Sequence, residues 1–166
     1  MLLTSVIFCL VVTRSFAVSV EPGSCPKVSV VDIDMAQMTG RWYMYASTKN
    51  RFDSCQKCII HDWFPVRNGI APMIATSIST RTGIYLENEN EALVNKKDLS
   101  LHVTGIGPLF GKLTAIFWSF ESVYDSHIIA WVCENQGTNH AKSVIVFTQE
   151  QNPSIDVMER TRQLAA

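Results

Sequence analysis

The sequence predicts an all-β fold: an eight-stranded antiparallel up-and-down β-barrel with a C-terminal α-helix packed on its outside. Three observations carry this expectation. From Trp42 onward, β-branched, aromatic and apolar residues fall in short runs; turn signals separate the runs at close intervals; and only the last segment changes to helical spacing. A meander of eight strands has two unpaired edges unless it closes, and closure at that strand number leaves room inside for one small ligand. A two-sheet sandwich is the alternative, because Ala115-Ile116-Phe117-Trp118 and Val144-Ile145-Val146-Phe147 are apolar on both faces.

The chain begins with an apolar run, Leu2 to Val12, too short to span a bilayer, and Ser15-Phe16-Ala17 has the small-x-small form of a signal-peptidase site. Residues 1–17 are therefore expected to be a signal peptide, 18–166 a single domain, and the mature protein secreted and extracellular. No later apolar stretch is long enough for a transmembrane segment. Next comes a strap punctuated by Pro22, Gly23 and Pro26, then 28–38, which follows neither period for long.

Strands are expected near 42–48, 57–66, 71–79, 83–88, 98–105, 113–121, 127–134 and 142–149. Asn68-Gly69, Arg81-Thr82-Gly83, Gly107-Pro108, Tyr124-Asp125-Ser126 and Asn135-Gln136-Gly137 supply the turns. The stretch 89–97 suits either an extension of the strand before it or a loop. Asn152-Pro153 then offers an N-cap and first-turn proline, and Ile155, Val157, Met158, Thr161 and Leu164 recur at helical spacing.

Composition narrows the function classes. With 166 residues the chain has one core to build; 47% hydrophobic and 17% charged residues exclude a disordered chain, and a net charge of −1 gives no basis for binding nucleic acid. The longest basic run is Lys96-Lys97, so no membrane-surface footprint is expected. Loss of the leader removes Cys9 and leaves Cys25, Cys55, Cys58 and Cys133, an even set that reads as two disulfides with three possible pairings. Cys55-Gln56-Lys57-Cys58 lacks a second pair of ligands at metal spacing, so no metal is expected. Paired carboxylates, a Ser/His/Asp arrangement, a phosphate loop and a zinc-protease helix are all missing, and the protein is expected not to be an enzyme.

Met38-Thr39-Gly40-Arg41-Trp42-Tyr43, following Cys25-Pro26, resembles the opening of the lipocalin family, closest to the branch of apolipoprotein D and the arthropod bilin-binding proteins. Cys58 opening a strand, the segment Tyr124 to Cys133, and the helix after Asn152-Pro153 continue the likeness over essentially the whole mature chain. The family's Thr-Asp-Tyr appears as Ser122-Val123-Tyr124, and the arginine that lies over the Gly-x-Trp indole falls on Gln149, which keeps only hydrogen-bonding capacity. Gly40, Trp42 and Gln149 are thus expected to be structural, with Trp42 plugging the barrel base.

The resemblance implies a Cys25–Cys133 disulfide and leaves Cys55 as partner for Cys58. It also implies a secreted, non-enzymatic carrier of a small hydrophobic ligand: a bilin or other pigment, carotenoid, retinoid or fatty acid. No cofactor is required, although a bound tetrapyrrole or other hydrophobic pigment fits the reading, and a protein partner or receptor is not specified. The implied lining is Ile59, His61 and Trp63, then Met73, Ala75 and Ser77, Tyr85, Ile128, Ala130 and Val132, and finally Ile145 and Phe147, with His61 the sharpest polar point. His102, His127 and His140, near strand ends or turns, are expected to be solvated. Near 113–121, Phe117 with Ser119 and Trp118 with Phe120 are equal choices for the inward face. Two rivals accompany the carrier: a lipocalin-type isomerase using a pocket cysteine thiol, and a protein-binding lipocalin with a vestigial pocket.

Overall fold

The computed structural model describes residues 20–48, 55–107 and 111–165. The expected leader and Pro108-Leu109-Phe110 lie outside the described residues. Nine strands run in chain order: β1 (Val20–Pro22), β2 (Gly40–Ser47), β3 (Gln56–Trp63), β4 (Ala71–Ser79), β5 (Tyr85–Asn95), β6 (Ser100–Gly107), β7 (Gly111–Val123), β8 (His127–Gln136) and β9 (Asn139–Thr148), followed by helix α1 (Ile155–Ala165).

Neighbouring strands from β2 to β9 pair antiparallel, and β9 pairs with β2, so the sheet closes. Closure decides against the sandwich. Besides the eight barrel strands, the short β1 pairs with the start of β9, where β2 has already left that edge. The stretch left open at 89–97 is strand through Asn95, because Asn90–Asn95 pair residue by residue with Gly105–Ser100 of β6.

Three irregularities bend the wall, between Met44 and Ala46, between Lys57 and Ile60, and between Ser119 and Glu121. Each inserts a residue on one strand and changes which side chains face inward beyond it. Cys58 lies in the second of these with φ of 53°.

The base of the barrel is where β2 begins. Gly40 has φ of +121°, a conformation that side chains rarely adopt, and it turns the chain so that Trp42 enters the barrel. Trp42 is completely buried, and its indole N–H donates to the Met38 carbonyl at 2.8 Å. Ile33 and Met38 pack with it in the core. The Tyr124 hydroxyl accepts the Asp34 N–H at 2.7 Å, and Val31 bridges to Ser119, beyond the point where β6 stops pairing with β7. The 31–38 segment thereby seals this end. Across the outer surface, Arg41 and Asp62 form a two-pronged ion pair at 2.8 and 2.9 Å that ties β2 to β3.

Helix α1 is fastened outside β7 and β8 by Arg160, which donates to the Glu121 carboxylate. Glu121 also meets His127 Nε2 at 2.8 Å, and Ser126 Oγ lies 3.1 Å from Nδ1 of the same ring. His127 is buried rather than solvated, as is His140, whose Nδ1–H donates to the Gly23 carbonyl at 3.0 Å. Both imidazoles tie neighbouring pieces of chain together, which explains why they leave the solvent.

The expected disulfide is present between Cys25 and Cys133. It fixes the start of the strap to β8, next to the Cys25 N–H bond to Asn135 Oδ1 at 2.7 Å. The second expected bridge is not formed: Cys55 and Cys58 are not joined, and Cys58 is exposed at the bulge.

Candidate functional site

The interior is defined by register. Ala71 faces Ala92 across β4 and β5, and both are 1% exposed, so residues of the same parity share the inner face. On β3 the inner side carries His61 and Trp63; on β4, Met73, Ala75 and Ser77; on β8, Ile128, Ala130 and Val132; and on β9, Ile145 and Phe147. Trp63, Met73, Ile128, Ala130, Ile145 and Phe147 join Trp42 in one continuous core cluster, with Ala75 packed against it. Of the expected lining, these residues are brought together.

Others are placed differently. Tyr85 is 60% exposed on the outer face of β5, with its hydroxyl 3.1 Å from Glu87. Its strand has the opposite phase: Glu87, Glu89 and Glu91 point out, while Leu86, Asn88, Asn90, Ala92 and Val94 occupy the inner positions. Ile59, half-buried beside the bulge, lines a cleft of about 170 Å³ where β2 and β3 separate above the Tyr43–Ile60 pair. Cys58 borders the same cleft, so the described thiol nearest the barrel is at its rim and not on the inner wall. Gln149 makes a backbone bond to Ser126, while the indole of Trp42 is satisfied by Met38; the expected Gln149 contact there is replaced by a main-chain carbonyl. On β7, Phe117 packs against the core and Phe120 stacks outside on Trp131 at 5.7 Å, which settles that strand's facing.

The inner wall is unevenly covered. Trp42, Trp63, Ala71 and Ala92 are sealed, whereas the inward Met44, Ala75, Val103 and Phe117 keep part of their surface uncovered. Inward side chains with uncovered surface mean that the barrel is not filled by its own residues. Gly105 adds room in a specific place: a Cβ there would fall 2.0 Å from Asn90 Oδ1, so glycine lets the Asn90 amide lie flat across β6. Asn90 Nδ2 donates to the Asn88 carbonyl at 2.9 Å. Near the mouth the Ser77 hydroxyl donates to Gln56 Oε1 at 2.6 Å.

His61 stands at the centre of this hollow. It pairs across the sheet with Trp42 and Ala75, and its ring lies 4.9 Å from Phe147 and 6.3 Å from Trp63. No hydrogen bond to a described residue engages either ring nitrogen. His61 is half-buried, and desolvation by the surrounding wall pushes the imidazole pKa down to about 4, against a smaller opposing pull from Asp62. At neutral pH the ring is uncharged and offers one donor and one acceptor to whatever enters.

The same environment predicts a pH dependence. The unfolded ring takes up a proton below about pH 6.5 while the folded ring stays neutral down to about 4. His61 therefore costs no stability above pH 6.5, and stability falls as pH drops towards 4, by about 3 kcal/mol in all. Urea unfolding of wild type and His61→Leu at pH 7.5 and 4.5 is expected to show a loss between the two pH values that is smaller in the variant by about this amount. Equal losses would mean that the ring is hydrated in the folded state.

No described group of three or more His, Cys, Asp or Glu side chains is placed to hold a metal ion, and no described helix is long and apolar enough to cross a membrane.

No family model matches the chain, and no curated protein matches it in sequence. Solved structures do match its fold. Insecticyanin from the tobacco hornworm Manduca sexta superposes with a TM-score of 0.77 at 16% identity, covering 89% of this chain and 80% of that one. Lobster apocrustacyanin A1 gives 0.71 at 17% identity, covering 87% and 81%. The amine binding protein of Rhodnius prolixus, in its tryptamine complex, gives 0.65 at 14% identity, covering 85% and 78%. At these identities the shared property is the fold.

Proposed function

We propose, from the lipocalin fold that this chain shares with those neighbours, that it is a secreted, non-enzymatic carrier that encloses one small hydrophobic ligand in its barrel. The observation that carries the reading is His61, a neutral imidazole with no hydrogen bond to a described residue, its ring 4.9 Å from Phe147 and 6.3 Å from Trp63, where the wall keeps uncovered surface. Polar groups withdrawn from bulk solvent are ordinarily paired, and a half-buried one left open in an apolar chamber is matched by a ligand or by water. Burial of the ligand's apolar body supplies affinity, and the ring fixes its orientation. The Cys25–Cys133 bridge suits an oxidising, extracellular setting, as does an expected leader over residues 1–17.

Filling the chamber tests the proposal. Ala75 lies opposite His61 on the inner face and is only half-buried, whereas its neighbour Thr76 has the outward parity. Ala75→Trp is expected to weaken binding of an environment-sensitive hydrophobic fluorophore by about tenfold or more, and Thr76→Trp to leave it within about twofold. Circular dichroism confirms that both variants are folded. Equal binding by both would place the fluorophore outside the barrel.

A further inference from the structure

We propose that the ligand is uncharged, with an apolar body and a neutral hydroxyl, carbonyl or amide end that hydrogen-bonds to His61 and the Asn88/Asn90 edge of β5. The inference rests on the carrier reading above and narrows it to a chemical class.

Below its rim the inner wall carries no countercharge among the described residues. Following the register of each pair, the inward positions among the described residues contain no Lys, Arg or Asp. Glu134 is the one carboxylate of inward parity, and it sits at the rim, two residues beyond Val132, with a partner already engaged. The exposed acids of β5 all point outward.

What remains inside is polar but neutral: His61 in the middle, Asn88 and Asn90 on β5, and Gln56 with Ser77 near the mouth. Asn88 and Ala75 are direct partners across β4 and β5, and Ala75 is in turn the partner of His61, so the three share one rung of the inner wall. Asn90 lies one inward step deeper, held against the space that Gly105 leaves. This row offers donors and acceptors, as a neutral polar end requires.

An ammonium or a carboxylate carried into this chamber loses its water shell and meets no opposite charge, and such burial is strongly unfavourable. His61 does not compensate a carboxylate, since it gains its proton only near pH 4. The tryptamine complex of the Rhodnius prolixus protein shows that this fold accepts an amine. Among the described residues, the inner wall of the present chain below the rim at Glu134 carries no carboxylate to match an ammonium group.

The test compares three probes of equal chain length, 1-dodecanol, dodecanoate and dodecylammonium, each displacing the same bound fluorophore from the purified full chain at pH 7.4. The alcohol is expected to bind at least about tenfold tighter than either ion. An ion that binds as tightly as the alcohol overturns the inference while leaving the carrier reading intact. Binding by none of the three, with no fluorophore uptake, overturns the carrier reading and this inference with it. Asn90→Asp supplies the missing charge one step from His61. It is expected to tighten dodecylammonium about tenfold relative to the alcohol, and an unchanged ratio would place the polar end elsewhere and overturn the assignment.

Discussion

Cys133→Ser is expected to lower stability by about 4–5 kcal/mol and to cut the yield of secreted protein severely, whereas Cys58→Ser changes stability by less than about 0.5 kcal/mol. The Cys25–Cys133 bridge spans 108 positions of sequence, so it removes a large set of unfolded conformations. It also fastens the strap at the point from which the chain travels to the base, and through it Ile33 and Met38 reach Trp42. Cys58 takes part in no bridge and is exposed at a bulge, so a hydroxyl in place of its thiol disturbs no packing. Secreted yield and urea midpoints of the two variants, measured side by side, check the contrast. Equal losses would mean that the strap holds the barrel base without its covalent tie.

Trp42→Ala carries the second large effect. The side chain is 0% exposed, and its removal leaves a cavity at the closed end together with a Met38 carbonyl that has lost its donor. Large-to-small substitution of a buried tryptophan costs about 3–5 kcal/mol, which for a chain of this size lowers the melting temperature by roughly 10 °C. Trp42→Phe keeps most of the volume and loses the hydrogen bond, at a cost nearer 1–2 kcal/mol. A melting temperature unchanged in Trp42→Ala would show that the 31–38 segment closes the base unaided.

Much of the architecture was legible because its signals are local. Turn residues between β-type runs marked the eight barrel strands, and Asn152-Pro153 with its helical repeat marked α1. The short β1 was hidden, since Val20–Pro22 becomes a strand only when β9 offers it an edge. Facing was harder. Alternation gives the inward set only while the ladder stays regular, and one inserted residue reverses it. The bulges at Tyr45, at Cys58 and near Phe120 carry no distinctive sequence, and they decided how Ile59 and the β7 aromatics are disposed.

The phase of β5 is readable in the sequence, and it runs opposite to the inward placement expected for Tyr85. Glu87, Glu89 and Glu91 recur at every second position, which places them on the solvent side and turns Tyr85 out with them. The signal is masked because Tyr85 is an aromatic ring on an exposed face, while Asn88 and Asn90 are not the apolar partners that an inward face ordinarily shows. His127 and His140 became buried for reasons of contact distant in sequence: Gly23 accepts from the second, and the first meets a Glu121 that Arg160 of α1 also holds. His61 needed only its period-2 relation to Trp63, and its position inside was therefore available from the chain itself.

The central claim is that the barrel holds one small neutral hydrophobe. Native mass spectrometry of the secreted protein, purified from its own source without added ligand, tests it most directly. The account predicts a complex heavier than the polypeptide by one small molecule, which organic extraction releases and identifies as an uncharged compound, and which Ala75→Trp fails to carry. A protein that arrives at the bare polypeptide mass and takes up no hydrophobic probe afterwards would contradict it.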